Sequence, residues 1–231
     1  MKKCVFLMLL VPCLASAQSR EVVEATSGED ISKKVSTQIQ YLFPEFTDGN
    51  VYYRGLPGNS GKLNYNTLVG EMQFVENDKI MALANVKDVV AVNIKGRKFF
   101  PFKNNEFAEE LMLTAKCRLM VRYRGNVVQH SKKGAYGTYS STSSSTSYSS
   151  INDGNQQYGL SISENVLVSV TCYYYLVGTN GKYSLIKNVI SFTKQFPEHK
   201  AQIETFVKTH KTQFNNSDDL KSLLEYCSGL E

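Results

Sequence analysis

The sequence predicts an α+β fold: a mainly antiparallel β-sheet, either a sandwich or a partly open barrel, followed by a C-terminal pair of amphipathic helices. Two observations carry this expectation. From residue 35 to about 190 apolar residues recur with period two, punctuated by turn signals. In the last forty residues the period changes to that of a helix, with Ile203, Phe206, Val207 and His210 on one stripe and Leu220, Leu223, Leu224 and Cys227 on another. A β-rich body followed by helices is the pattern of segregated α+β domains.

The first seventeen residues have the order of an export signal and are set aside from the fold. Lys2 and Lys3 are followed by an apolar stretch from Val5 to Leu14, too short to anchor in a bilayer, and then by Ala15-Ser16-Ala17. Cleavage after Ala17 starts the mature chain at Gln18 and places it in the periplasm or outside the cell. Cys13 raises lipid anchoring as an alternative, which Pro12 disfavours because a lipobox takes a small residue there. No later apolar run reaches the length of a transmembrane helix.

Residues 18–34 read as a loose polar leader, and 35–231 as a single domain. Val35, Thr37, Ile39, Tyr41 and Phe43 alternate with polar residues, so a strand is expected there, closed by Pro44. Asn50–Arg54 reads as a short strand and 55–61, with Pro57, as a loop. Leu63–Val75 is extended, Asn77-Asp78 is a tight turn, and Lys79–Ala84 returns as the partner. Val89–Ile94 reads as a covered central strand, Arg97–Phe102 as extended, and Phe107–Leu113 as a single helical turn.

Lys116–Val128 is the clearest strand. Cys117, Leu119, Val121 and Tyr123 form an apolar face, while Lys116, Arg118, Arg122 and Arg124 put four cations on the other. Val166–Leu176 is its equal, with even positions fit for a core. Thr179-Asn180-Gly181 signals a hairpin to Tyr183–Ile186. Between these strands Thr138–Ser150 contains only Ser, Thr and Tyr and reads as a surface loop. Helices are expected over about 198–210 and 217–228, with Pro197 near the first start, Ser217 as N-cap and Gly229 as the stop.

Composition excludes several classes. The 231 residues are 42% hydrophobic and 20% charged, with 14 Tyr, 12 Phe and no Trp. A disordered tail, a collagen-like fibre and a multi-pass membrane protein are ruled out. After cleavage three cysteines remain, Cys117, Cys172 and Cys227, so at most one intramolecular disulfide can form. Without a C-x-x-C, zinc-ribbon and thioredoxin chemistry have no support.

No H-E-x-x-H, G-x-S-x-G, P-loop or dinucleotide glycine motif occurs. His199 and His210 would lie about 16 Å apart along one helix, too far to share a metal. His130 stands in a basic turn, but Cys117 and Cys172 fall on apolar strand faces, where inert thiols are expected. Glu106, Glu109 and Glu110 lie close together and read as a solvated face. No catalytic residue, metal ligand or cofactor is assigned.

The strongest asymmetry is electrostatic. Lys95–Gly134 holds ten Lys and Arg against three Glu, a balance of +7, while the rest of the mature chain carries −4. Phe99, Phe100, Phe102, Phe107 and Tyr123 are interleaved. Arg97, Arg118, Arg122, Arg124, Lys132 and Lys133 are therefore the candidate ligand-binding residues of a basic sheet face. Such a face suits an acidic glycan, a lipid phosphate or an acidic protein; export argues against nucleic acid. The expected function is that of a non-catalytic envelope binding or interaction module. The alternatives are a carrier of a small apolar ligand in a barrel-like pocket, and an enzyme without a recognisable motif.

Lys62-Leu63-Asn64-Tyr65-Asn66 followed by Gly70-Glu71-Met72-Gln73-Phe74 is distinctive. With Asn85, Val89–Phe100, Gly134-Ala135-Tyr136-Gly137 and the Phe196-Pro197 start of the helices, it resembles a group of exported Bacteroidota proteins of unknown function. The likeness spans roughly residues 38–228. It implies an envelope or secreted location in a Gram-negative cell and carries no catalytic residues.

Overall fold

A computed structural model describes residues 20–25, 31–133, 139–140, 147–148 and 164–230. The predicted signal segment, and most of the Ser/Thr/Tyr stretch, lie outside the described residues.

The described chain forms β1 (Arg20–Ala25), α1 (Thr37–Gln40), β2 (Thr47–Tyr53), β3 (Leu56–Asn66), β4 (Glu71–Glu76), β5 (Lys79–Ala82), β6 (Val89–Ile94), β7 (Arg97–Pro101), β8 (Phe107–Leu113) and β9 (Cys117–Lys133). Two short strands follow, β10 (Tyr139–Ser140) and β11 (Ser147–Tyr148). Then come β12 (Glu164–Gly178), β13 (Tyr183–Ile186), α2 (Val189–Thr193), α3 (Lys200–His210) and α4 (Ser217–Ser228). The fold is α+β: one antiparallel sheet in the order β1-β12-β9-β8-β7-β6-β2-β3-β4-β5, not closed into a barrel, with a C-terminal helix pair. β10 and β11 pair with β9, and β13 pairs with β12.

Among the described residues, three apolar clusters hold it together. In the first, Leu119 and Val121 of β9, Tyr174 and Leu176 of β12 and Ile186 of β13 receive Phe192, Ile203, Leu220, Leu223, Leu224 and Cys227 from the helices. The helices therefore cover one face of the β9–β12 pair with the stripes their sequence displays.

The second cluster lies inside the curl of the sheet, where β2–β4 fold over β6–β9. Tyr65, Val92, Ile94, Phe99 and Phe107 have no exposed surface there. Tyr65 stacks on Phe99 at 5.3 Å and meets Tyr123 edge-on at 5.6 Å. The third cluster joins Val23, Ile31, Val35, Ile39 and Leu68 to Val127, Val166 and Val168.

The distinctive Leu63–Asn66 stretch is the stitch of the curl. Asn64 is 1% exposed. Its Oδ1 accepts from the Phe43 and Tyr65 amides and its Nδ2 donates to the Phe43 carbonyl. The Tyr65 hydroxyl donates to the Phe107 carbonyl at 2.8 Å. Where Leu68 crosses β9, only a glycine fits: a Cβ on Gly125 would stand 2.9 Å from the Leu68 Cα, and the Gly125 amide donates to the Leu68 carbonyl.

Several expectations are corrected. The leader is not wholly loose: Arg20–Ala25 adds a strand to β12, and Ile31 is a core residue. The backbone partner for that strand lies almost 150 residues away, beyond any local pattern.

Val35–Phe43 contains a short helix rather than a strand. Val35, Ile39 and Phe43 are buried at intervals of four, a spacing shared by period two and by the helix. Only Gly55 of the expected 55–61 loop lies in a turn; residues 56–61 are the exposed first half of β3, paired with β2. Phe107–Leu113 is a strand inside the sheet, held by β7 on one side and β9 on the other, not a helical turn.

Val89–Ile94 is covered on one face only: Val92 and Ile94 are buried while Ala91 and Asn93 between them are partly exposed, and Val90, at the register break with β2, is 48% exposed. The helix α4 is capped by Asn216, whose side chain accepts from the Asp218 and Asp219 amides, not by Ser217.

Candidate functional site

The face of β9 opposite the helices holds the predicted cations. Arg118, Arg122 and Arg124 alternate along it as the sequence requires, with Met120 between them. The register brings neighbours alongside: Lys98 of β7 lies opposite Glu110 of β8, Glu110 opposite Met120, and Met120 opposite Tyr175 of β12.

The arginines are held rather than loose. Arg118 Nε lies 2.7 Å from Glu110 Oε2, and its guanidinium sits over the Phe100 ring at 4.1 Å. Arg122 pairs closely with Glu106 and covers the Phe102 ring at 5.4 Å. Arg124 approaches the other Glu106 oxygen at 3.8 Å. Burial acts to lower the Arg122 pKa, but the hydrogen bond and charge of Glu106 outweigh it and raise the pKa, so the group stays cationic.

Glu106 is 4% exposed. The carboxylates expected on a solvated face are thus the counter-ions of the sheet. Their signal was present in the sequence as matching alternation, Glu106 and Glu110 against Arg118, Arg122 and Arg124, but it becomes readable only when β8 is known to pair with β9.

Among the described residues, three arginines share two carboxylates on this face, and Lys98 adds an exposed cation. The face therefore keeps a net positive charge. Phe102, just past β7, reaches across to the aromatic side of the face. It meets Tyr183 of β13 edge-on at 4.8 Å and Tyr175 of β12 at 5.2 Å. Phe100, Phe102, Tyr175 and Tyr183 are all half-buried. Beneath them Met120 and Ala108 have no exposed surface, so the floor is sealed.

Not all six predicted residues meet here. Arg97 points to the opposite face of the sheet. There its Nε and Nη2 each donate to Glu109 at 2.6 Å, Tyr123 donates to Glu109 Oε2 at 2.6 Å, and Phe43 lies 5.1 Å below the guanidinium. This is a half-buried structural junction built on Glu109, itself 4% exposed.

Lys132 and Lys133 belong to the far end of β9, where they pair with β10; their side chains are outside those described. So is that of His130.

Cys172 departs from its expected place. Cys117 and Cys227 are buried, but Cys172 is exposed. It falls between two clusters: Val170 packs on the third and Tyr174 belongs to the first, and neither covers the position between them.

A cleft of about 290 Å³ lies at the β8–β9 and β12–β13 turns, lined by Thr114, Cys117, Arg118, Val177 and Gly178 among others. Among the described residues no group of three metal-ligating side chains converges, and no helix is long and apolar enough to cross a membrane. Searches against protein-family models, curated proteins and solved structures found no match to this chain.

Proposed function

We propose that the chain is an exported, non-catalytic binding module of the cell envelope, and that the sheet face around Arg118, Arg122 and Arg124 holds an acidic polymer. One observation carries the reading: on that face three arginines share two carboxylates and Lys98 stands exposed beside them. A sheet face protected from edge pairing needs only scattered cations. This one fixes its guanidiniums over aromatic rings and against buried carboxylates, so little side-chain entropy is lost when an anion arrives. The filled interior of the curl, with Tyr65, Phe99 and Phe107 fully buried, favours a surface partner over an enclosed apolar ligand.

The test is binding of polygalacturonate, poly-glutamate and polyphosphate to the purified protein across a salt series. At least one should bind with an affinity that falls steeply with salt. The double variant Lys98→Gln/Arg118→Gln should flatten the salt slope by roughly one to two. Salt-insensitive binding, or a slope unchanged in the variant, overturns the reading.

A further inference from the structure

Resting on that reading, we infer that the acidic polymer is a glycan of uronic or otherwise acidic sugars, laid across Phe102, Tyr175 and Tyr183 with its carboxylates toward Arg118 and Lys98. The rings argue for a sugar. Phe102 and Tyr183 stand at 89° to each other, and Tyr175 and Tyr183 at 80°. Three half-buried rings so arranged form a corner, with Arg122 over Phe102: the exposed part of one ring takes the apolar C–H side of a pyranose while a neighbouring ring takes its edge. The Tyr183 hydroxyl can exchange hydrogen bonds with sugar hydroxyls, and the Tyr175 hydroxyl, which accepts from Arg122, can still donate one.

The cations argue for acidic sugars. The Arg118 guanidinium is a planar fork, fixed over Phe100 and by Glu110, and its side chain is 31% exposed. That geometry suits a planar carboxylate, which a uronic acid supplies at every residue.

The same features disfavour other anions. An acyl chain gains little here, because Met120 and Ala108 seal the floor beneath the rings. An acidic peptide would use the cations and leave the aromatic corner without a task.

The experiment is titration calorimetry of the purified protein with polygalacturonate oligosaccharides, with poly-glutamate, and with phosphatidylglycerol vesicles. The oligosaccharide should bind most tightly. Phe102→Ala should weaken it about fivefold, the scale of a lost stacking contact, and weaken poly-glutamate much less, because Arg122 keeps its pair with Glu106 when the ring beneath it is removed. Tyr183→Ala, on the short β13, repeats the test if Phe102→Ala unfolds.

Equal binding of poly-glutamate or vesicles, or indifference to both ring variants, overturns the glycan assignment while leaving an acidic-polymer module standing. Failure of every acidic probe to bind in a salt-dependent manner overturns both.

Discussion

Asn64 carries more of this fold than its size suggests. A buried amide that gives one hydrogen bond and accepts two ties Phe43 to β3 and starts the curl. Asn64→Ala leaves the Phe43 amide and carbonyl buried without those partners, so a loss of about 2–4 kcal/mol is expected. Urea denaturation would measure it. Gly125 is a second such point. Gly125→Ala forces its new methyl against the Leu68 backbone, which has no flexible end to move aside. A cost of about 1–3 kcal/mol follows by overpacking, read from the same denaturation curve. Cys172 shows the reverse case, an apolar strand position left uncovered because it sits at a gap between clusters.

Among the elements, the C-terminal helices form as their own periodicity requires, because each turn of α3 and α4 is satisfied within the segment. The capping residue is also local. Asn216 accepts from the Asp218 and Asp219 amides at 2.8 and 3.3 Å. Asn216→Ala is expected to cost about 1 kcal/mol, visible as a lowered thermal midpoint, whereas Ser217→Ala should cost less than half of that.

Strands are less self-contained. β8 looks like a helical turn in isolation, since Phe107, Leu111 and nearby acids suit either geometry. Its backbone groups are claimed by β7 and β9, and that pairing decides the matter. β1 likewise takes its strand pairing from β12.

At the scale of the whole molecule, tyrosines bind the clusters to each other. Tyr123 packs against both the helical cluster and the interior of the curl. Burial pushes the pKa values of Tyr65, Tyr123 and Tyr174 above the ordinary phenol value of 10.0, and nearby negative charges add to this: Glu106 at Tyr65, Glu109 at Tyr123, and Cys172 as its thiolate at Tyr174.

A phenol raised in the folded state keeps its proton there after the unfolded chain has lost its own. The stability it contributes is complete below pH 10 and is lost as pH rises through and beyond that value. Unfolding free energy should therefore decline above about pH 10, by up to about 1.4 kcal/mol per pH unit for each such tyrosine. Tyr123→Phe should make that decline shallower. An unchanged slope in the variant would remove Tyr123 from the account.

The sequence by itself determined the α+β class, the alternation of β9 and β12, the helix pair, the tight turn at Asn77-Asp78 and the concentration of cations between Lys95 and Gly134. Each of these depends on residues near one another along the chain, and period and turn chemistry express them directly. It also placed Arg118, Arg122 and Arg124 on one face, because alternation in a strand is a local fact.

Only the tertiary structure decided that Arg97 faces inward to Glu109 and Tyr123, that Glu106 and Glu110 are counter-ions instead of solvated acids, and that Phe102 meets Tyr175 and Tyr183. Those are matters of register and curl between strands distant in sequence. A cation count cannot show which charges are already matched, because side chains from different strands become neighbours only after the backbone pairs.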